Sequence, residues 1–115
     1  MITNIQKRRK HMRWMTMLAL CNARPTGAYE ELVLAIIQAM SPNATLLEVR
    51  RELNYLADRT LIELRKEPSG RWFADISLDG VDVIEYTVDC NPGIARPAMY
   101  WSVDNVNKPS ELNAI

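Results

Sequence analysis

Leu46, Val49, Leu53, Leu56 and Ala57 recur at three- and four-residue steps. At about 100° per residue this spacing gathers them on one face of an amphipathic helix. Glu48, Arg51, Tyr55 and Asp58 fall on the opposite face, and Asn43 or Thr45 stands where a side-chain oxygen can cap the first turn. After Thr60 the period changes to two. Ile62 and Leu64 alternate with Glu63 and Arg65, and beyond Pro68-Ser69-Gly70 the residues Trp72, Ala74 and Ile76 alternate with Phe73, Asp75 and Ser77. Two alternating runs joined by a short glycine-containing turn predict a β-hairpin packed through Ile62, Leu64, Trp72 and Ile76. A helix over 45–60 followed by a hairpin over 61–77 is the order of a recognition helix and its wing.

Upstream, the pattern predicts two more helices. The first runs from Asn4 to about Cys21 with a core stripe of Ile5, Met12, Met15, Leu18 and Ala19, and the second takes Tyr29 to Met40 with Leu32, Val33, Ile36, Ile37 and Met40 inward. Asn22 to Ala28, with Arg24-Pro25-Thr26-Gly27, reads as loop, and Ser41-Pro42-Asn43 breaks the second helix before the third. Glu30 and Glu31 read as solvated carboxylates at a helix start. Downstream, Ser77 is placed to cap a short fourth helix through Tyr86, with Gly80 allowing close packing on the hairpin, and Asn91-Pro92-Gly93 ends it. The expected fold is therefore α+β. It is a winged helix-turn-helix with a three-helix body, a two-stranded wing and a short fourth helix over residues 1–90, then an extended C-terminal tail over 91–115.

At 115 residues the chain has room for one domain with a single core. A 48% hydrophobic and 24% charged composition is that of a globular chain rather than a disordered one. The longest apolar run, around Leu32 to Ile37, is too short for a membrane span, and Lys7 to Lys10 are not followed by the apolar core of a secretory signal. Cys21 and Cys90 lack metal-site spacing and disulfide density, so free thiols in a cytoplasm are expected.

The net charge of zero conceals a dipole. Residues 1–74 hold twelve Lys/Arg against seven Asp/Glu, and residues 75–115 hold two against seven. A surplus of five positive charges in the body suits contact with phosphates. With one histidine, His11, the chain offers no Ser/His/Asp or Cys/His set, no phosphate-cradling glycine loop and no metal-ligand cluster, so neither an enzyme nor a cofactor or small-molecule site is expected.

The leading expectation is a DNA-binding regulator with helix 45–60 in the major groove of double-stranded DNA. Arg51 would meet a base edge, because a guanidinium fork matches the guanine acceptors. Thr45, Asn54 and Tyr55 are further candidates on the helix, and Arg65, Lys66 and Arg71 on the wing would lie against phosphates. Arg50, nearer the buried edge, is a candidate for pairing with a carboxylate. Lys7, Arg8, Arg9 and Lys10, with Arg13, form a positive patch that is either a backbone contact or a solvated face. The competing class is a protein-interaction adaptor on the same scaffold, favoured by the zero net charge and by Glu48, Glu52 and Asp58 on or beside the third helix.

Several segments together resemble one family. They are Leu53-Asn54-Tyr55-Leu56-Ala57-Asp58-Arg59, Leu61-Ile62-Glu63-Leu64, Trp72, Ile76-Ser77-x-x-Gly80-x-Asp82-Val83, Gly93-Ile94-Ala95-Arg96-Pro97 and Tyr100-Trp101. These resemble the small winged-helix proteins of Mu-like transposable phages and prophages over about residues 7–101, and Gly93 to Trp101 is the most specific part. The resemblance implies a winged body, DNA binding and, for a phage-encoded protein, the host cytoplasm. A homodimer is also expected, with Trp14, Met99, Tyr100 and Trp101 as its apolar contacts, although the spacing of Trp14 favours a place in the core for so large a ring.

Overall fold

Thr3 opens the first helix, α1 (Asn4–Asn22), through a capping box in which its side chain accepts from the Gln6 amide while the Gln6 side chain accepts from the Thr3 amide. The computed structural model describes residues 3–99. After α1 come β1 (Ala28–Tyr29), α2 (Glu30–Met40), α3 (Leu46–Asp58), β2 (Ile62–Lys66), β3 (Trp72–Ile76) and α4 (Leu78–Ile84). The fold is mixed α+β, with four helices and one antiparallel sheet.

That sheet has three strands rather than the two expected, in the order β1-β3-β2. Ala28 pairs with Ala74 and Tyr29 with Phe73, so the last residue of the expected loop and the first of the expected second helix form a short strand instead, and α2 begins at Glu30. Two residues are too few to show a period, which is why the alternation signal missed β1. Gly27 makes the pairing possible: its φ is +78°, and an added Cβ would fall within 3 Å of the Phe73 ring and the Ala74 carbonyl. On the hairpin the register runs from Ile62 opposite Ile76 to Lys66 opposite Trp72. Ile62, Ala74 and Ile76 are buried as the alternation required, while Leu64 and Trp72 are half-buried.

The core forms where α1 is surrounded. It packs against α2, α3, α4 and β3, so the middle of α1 is covered almost all round, with Met12, Trp14, Thr16, Met17, Ala19 and Leu20 buried. The single stripe expected for this helix was too narrow, and Ile5, placed in it, is exposed. The inner face of α2 reduces to Val33 and Ile37, and Leu32, Ile36 and Met40 are exposed. From α3 come Val49, Leu53 and Leu56.

Two helix ends lie earlier than expected, for the same reason. α3 stops before Thr60, where the Thr60 amide donates to Ala57 and the Leu61 amide to Leu56 while Thr60 takes φ +60°. α4 stops before Tyr86, where the Tyr86 amide donates to Val83 and the Thr87 amide to Asp82 while Tyr86 takes φ +63°. Both are Schellman closures whose left-handed position holds a side chain where glycine is usual, so neither was visible as a glycine signal. Gly80 of α4 does pack against the hairpin, with no space for a Cβ beside the Leu61 carbonyl and Ile76.

Residues 91–99 lie against the body. Ile94 is buried in the core, the Ala95 amide donates to the Lys10 carbonyl, and Arg96 donates to the Val83 and Val88 carbonyls. No helix among the described residues is long and apolar enough to cross a membrane.

Candidate nucleic-acid interface

Thr45 sets the frame of α3 through a second capping box, its side chain accepting from the Glu48 amide and the Glu48 carboxylate accepting from the Thr45 amide. The Thr45 oxygen proposed for DNA is thereby engaged in holding the helix start.

From this start the helix has three differently occupied sides. The apolar side enters the core. A second side, carrying Glu48 and Glu52, turns to α1 and meets its arginines. Arg8 makes two hydrogen bonds to Glu48, at 2.9 and 3.1 Å. Glu52 is fully buried and bonds Arg9 at 3.2 Å and Arg13 at 2.7 Å. The adjacent guanidinium of Arg8 holds the Glu48 carboxyl below the usual carboxylate range. The basic patch of α1 is thus largely internal wiring. Arg8, Arg9 and Arg13 neutralise α3, and of the expected backbone contacts Lys7 and Lys10 stand outside these pairs.

Tyr55 belongs to the same inner side. Both Arg13 and Arg59 lie over its ring, at 3.4 and 3.5 Å from the centroid, and its hydroxyl abuts Gly93. Its expected base contact is therefore replaced by a packing role that joins α3 to the segment around Gly93, whose carbonyl accepts from Arg13.

The third side is open. Leu47, Arg51 and Asn54 share it at i, i+4 and i+7, and with Arg50 and Trp72 they line a groove of about 450 Å³ between α3 and the hairpin. Leu47 is 75% exposed, and Arg51 has no hydrogen bond or ion pair among the described residues. Leu47 went unremarked in the sequence because it directly follows Leu46 of the apolar stripe. Its spacing to Arg51 and Asn54 was the available signal.

Arg50 fixes the hairpin beside this groove. Its guanidinium bonds both oxygens of Glu30 at 2.6 and 2.7 Å, reaches the Gly70 carbonyl and lies over the Trp72 ring. Glu30 also accepts from the Trp72 amide at 3.1 Å. Glu30 is buried, not solvated as expected, and Arg50, with the backbone donor, lowers its pKa against the opposing effect of burial. The carboxylate pairing expected for Arg50 is present.

The wing cations divide. Arg65 pairs with Glu67 and lies over Phe73, and Arg71 pairs with Glu31 and lies over Tyr29. Lys66 is exposed, with its ammonium 4.4 Å from the centre of the Trp72 ring and no carboxylate partner among the described residues. Arg51, Asn54 and Lys66 are therefore the expected DNA residues whose polar groups remain available. Of the two readings of Trp14, core residue and dimer anchor, the structure shows the first: it is buried in the core and packs edge-on to Tyr86. Met99 is half-buried, and Tyr100 and Trp101 lie outside the described residues. The described residues contain no group of three or more His, Cys, Asp or Glu able to hold a metal ion.

No family model, curated protein or solved structure matches this chain.

Proposed function

We propose that the chain is a winged-helix DNA-binding protein, a regulator of the kind found in Mu-like phages, with α3 in the major groove and the β2–β3 hairpin along the backbone. The observation carrying this reading is the sorting of charge around α3. Glu48 and Glu52 face α1 and are matched by arginines, while the outward side offers Leu47, Arg51 and Asn54, with Lys66 over the Trp72 ring that borders the same groove, and of the three acids only Asp58 at the helix end stays exposed. Those residue types suit base edges: Arg for guanine, Asn for adenine, an apolar side chain for the thymine methyl. The order of elements, with β1 joined to the hairpin, is compatible with a winged helix.

A second reading is a protein-interaction adaptor. It is favoured by one specific feature: Arg8, Arg9, Arg13, Arg50, Arg65 and Arg71 are all committed to ion pairs, so little of the body's positive surplus is free for phosphates. Fluorescence anisotropy on a mixed-sequence duplex separates the two. DNA binding predicts affinity that falls steeply between about 50 and 200 mM salt as counterions are released. An adaptor gives no binding at the lowest salt.

A further inference from the structure

We propose that Leu47 is a specificity-determining residue, a role that rests on the DNA reading above: it reads the C5-methyl group of a thymine close to the guanine met by Arg51. A single exposed leucine is ordinary on a protein surface. Leu47 is set apart by its place. It is 75% exposed on the open side of α3, one turn before Arg51 and two turns before Asn54, and it walls the groove these residues share with Arg50 and Trp72. Half-buried Leu46 and buried Val49 already supply the inward contacts at the start of this helix.

The occupant follows from the groups around this side chain. Arg51 has no ion pair or hydrogen bond among the described residues, and Lys66 lies over the Trp72 ring at the border of the groove without a carboxylate partner among them. Glu48 and Glu52 are turned to α1 and paired there. The complementary surface therefore carries anions for Lys66, acceptors for Arg51, a donor and an acceptor for Asn54, and an apolar group for Leu47. The major groove of DNA presents all of these, as phosphates, guanine N7 and O6, adenine N6 and N7, and the thymine methyl. Among the bases thymine alone offers an apolar group there. Leucine has neither donor nor acceptor, so against adenine, guanine or cytosine it would cover polar atoms without pairing them. Four residues separate Leu47 from Arg51, a distance of about 6 Å along a helix. Base pairs stack about 3.4 Å apart, so the thymine lies within about two base pairs of the guanine.

The test uses duplexes selected from a random pool by the full chain, and compares the parent with Leu47→Ala and Arg51→Ala by fluorescence anisotropy. Replacing one thymine at a time by deoxyuridine removes the methyl group and keeps the base pair. Replacing one guanine at a time by 7-deazaguanine removes the N7 acceptor and so locates the base met by Arg51. One uridine replacement is expected to weaken the parent about fourfold, the factor for burying one methyl-sized group. The same replacement leaves Leu47→Ala unchanged, because the shortened side chain no longer reaches the methyl. One 7-deazaguanine replacement weakens the parent and not Arg51→Ala, and it falls within two base pairs of the sensitive thymine. Alanine is the best helix former and position 47 is exposed, so Leu47→Ala keeps the fold, which circular dichroism checks. A parent that binds the selected duplex but tolerates every uridine overturns the role of Leu47 and leaves the DNA reading standing. So does a uridine effect equal in parent and Leu47→Ala, or a sensitive thymine farther than two base pairs from the guanine. A parent that binds no duplex at the lowest salt overturns the DNA reading, and the role of Leu47 with it.

Discussion

Arg50 and Glu30 meet through two hydrogen bonds, at 2.6 and 2.7 Å, and so tie the outer edge of α3 to the first residue of α2. The same carboxylate accepts from the Trp72 amide and the same guanidinium donates to the Gly70 carbonyl. The pair therefore holds the hairpin at a set distance from α3.

This pair makes stability depend on pH. The Glu30 pKa is lowered in the folded state, chiefly by its hydrogen bonds from Arg50. The unfolded chain then binds the proton more readily, so the contribution is complete above the ordinary glutamate value of about 4.3 and is lost as pH falls through the lower folded value. Glu48, Glu31 and Glu67 are shifted the same way by Arg8, Arg71 and Arg65. Urea midpoints are expected to fall as the pH is lowered from about 5 to about 3. Glu30→Gln is expected to be less stable than the parent at neutral pH and to lose less on acidification. An equal acid loss in parent and variant would remove Glu30 from this role.

Glu52 is buried beneath Arg9 and Arg13. Glu52→Ala strands Arg13 without its carboxylate and is expected to cost about 3–5 kcal/mol in urea unfolding, the range for breaking a buried pair. Replacing Glu52 and Arg13 together by Leu and Met is expected to recover much of that loss, because a well-packed apolar pair avoids the desolvation of both charges. A double variant at least as unstable as Glu52→Ala would contradict this account.

Thr60 has a left-handed backbone at the end of α3. For an L-residue with a Cβ that conformation costs about 1–2 kcal/mol, and a β-branched side chain suits it poorly. Thr60→Gly relieves the strain, partly offset by the greater backbone entropy of glycine in the unfolded chain, and is expected to raise stability by about 0.5–1 kcal/mol. A lower melting temperature for the variant would show that the Thr60 side chain contributes more than its backbone costs.

The regular elements were legible because their periods are long enough to read: thirteen residues of α3 and the two strands of the hairpin were placed from spacing alone. The closures at Thr60 and Tyr86 were not legible, because they use side chains where glycine ordinarily announces a helix end. β1 was too short to show a period. At the candidate interface, Arg51, Asn54 and Lys66 were among the candidates named from the sequence and keep free polar groups among the described residues, and Arg50 was named as a candidate for pairing with a carboxylate. It could not show that the α1 cations and the α3 acids answer each other, because Arg13 and Glu52 are 39 residues apart and only the fold brings them together. Trp72, expected in the core, is half-buried because its ring serves as a surface for Arg50 and Lys66.

The central claim is that the open side of α3 reads DNA, and comparing Arg51 with Lys66 tests it most directly. Arg51→Ala, Lys66→Ala and the parent are titrated by anisotropy on a selected duplex and on its scrambled counterpart across salt, after thermal melts have shown equal stability. Arg51→Ala is expected to lose about 1–3 kcal/mol on the preferred site and little on the scrambled one. Lys66→Ala is expected to weaken both duplexes alike and to reduce the slope of log affinity against log salt by roughly one. Superimposable curves for all three proteins on both duplexes would contradict the claim and leave the adaptor reading in its place.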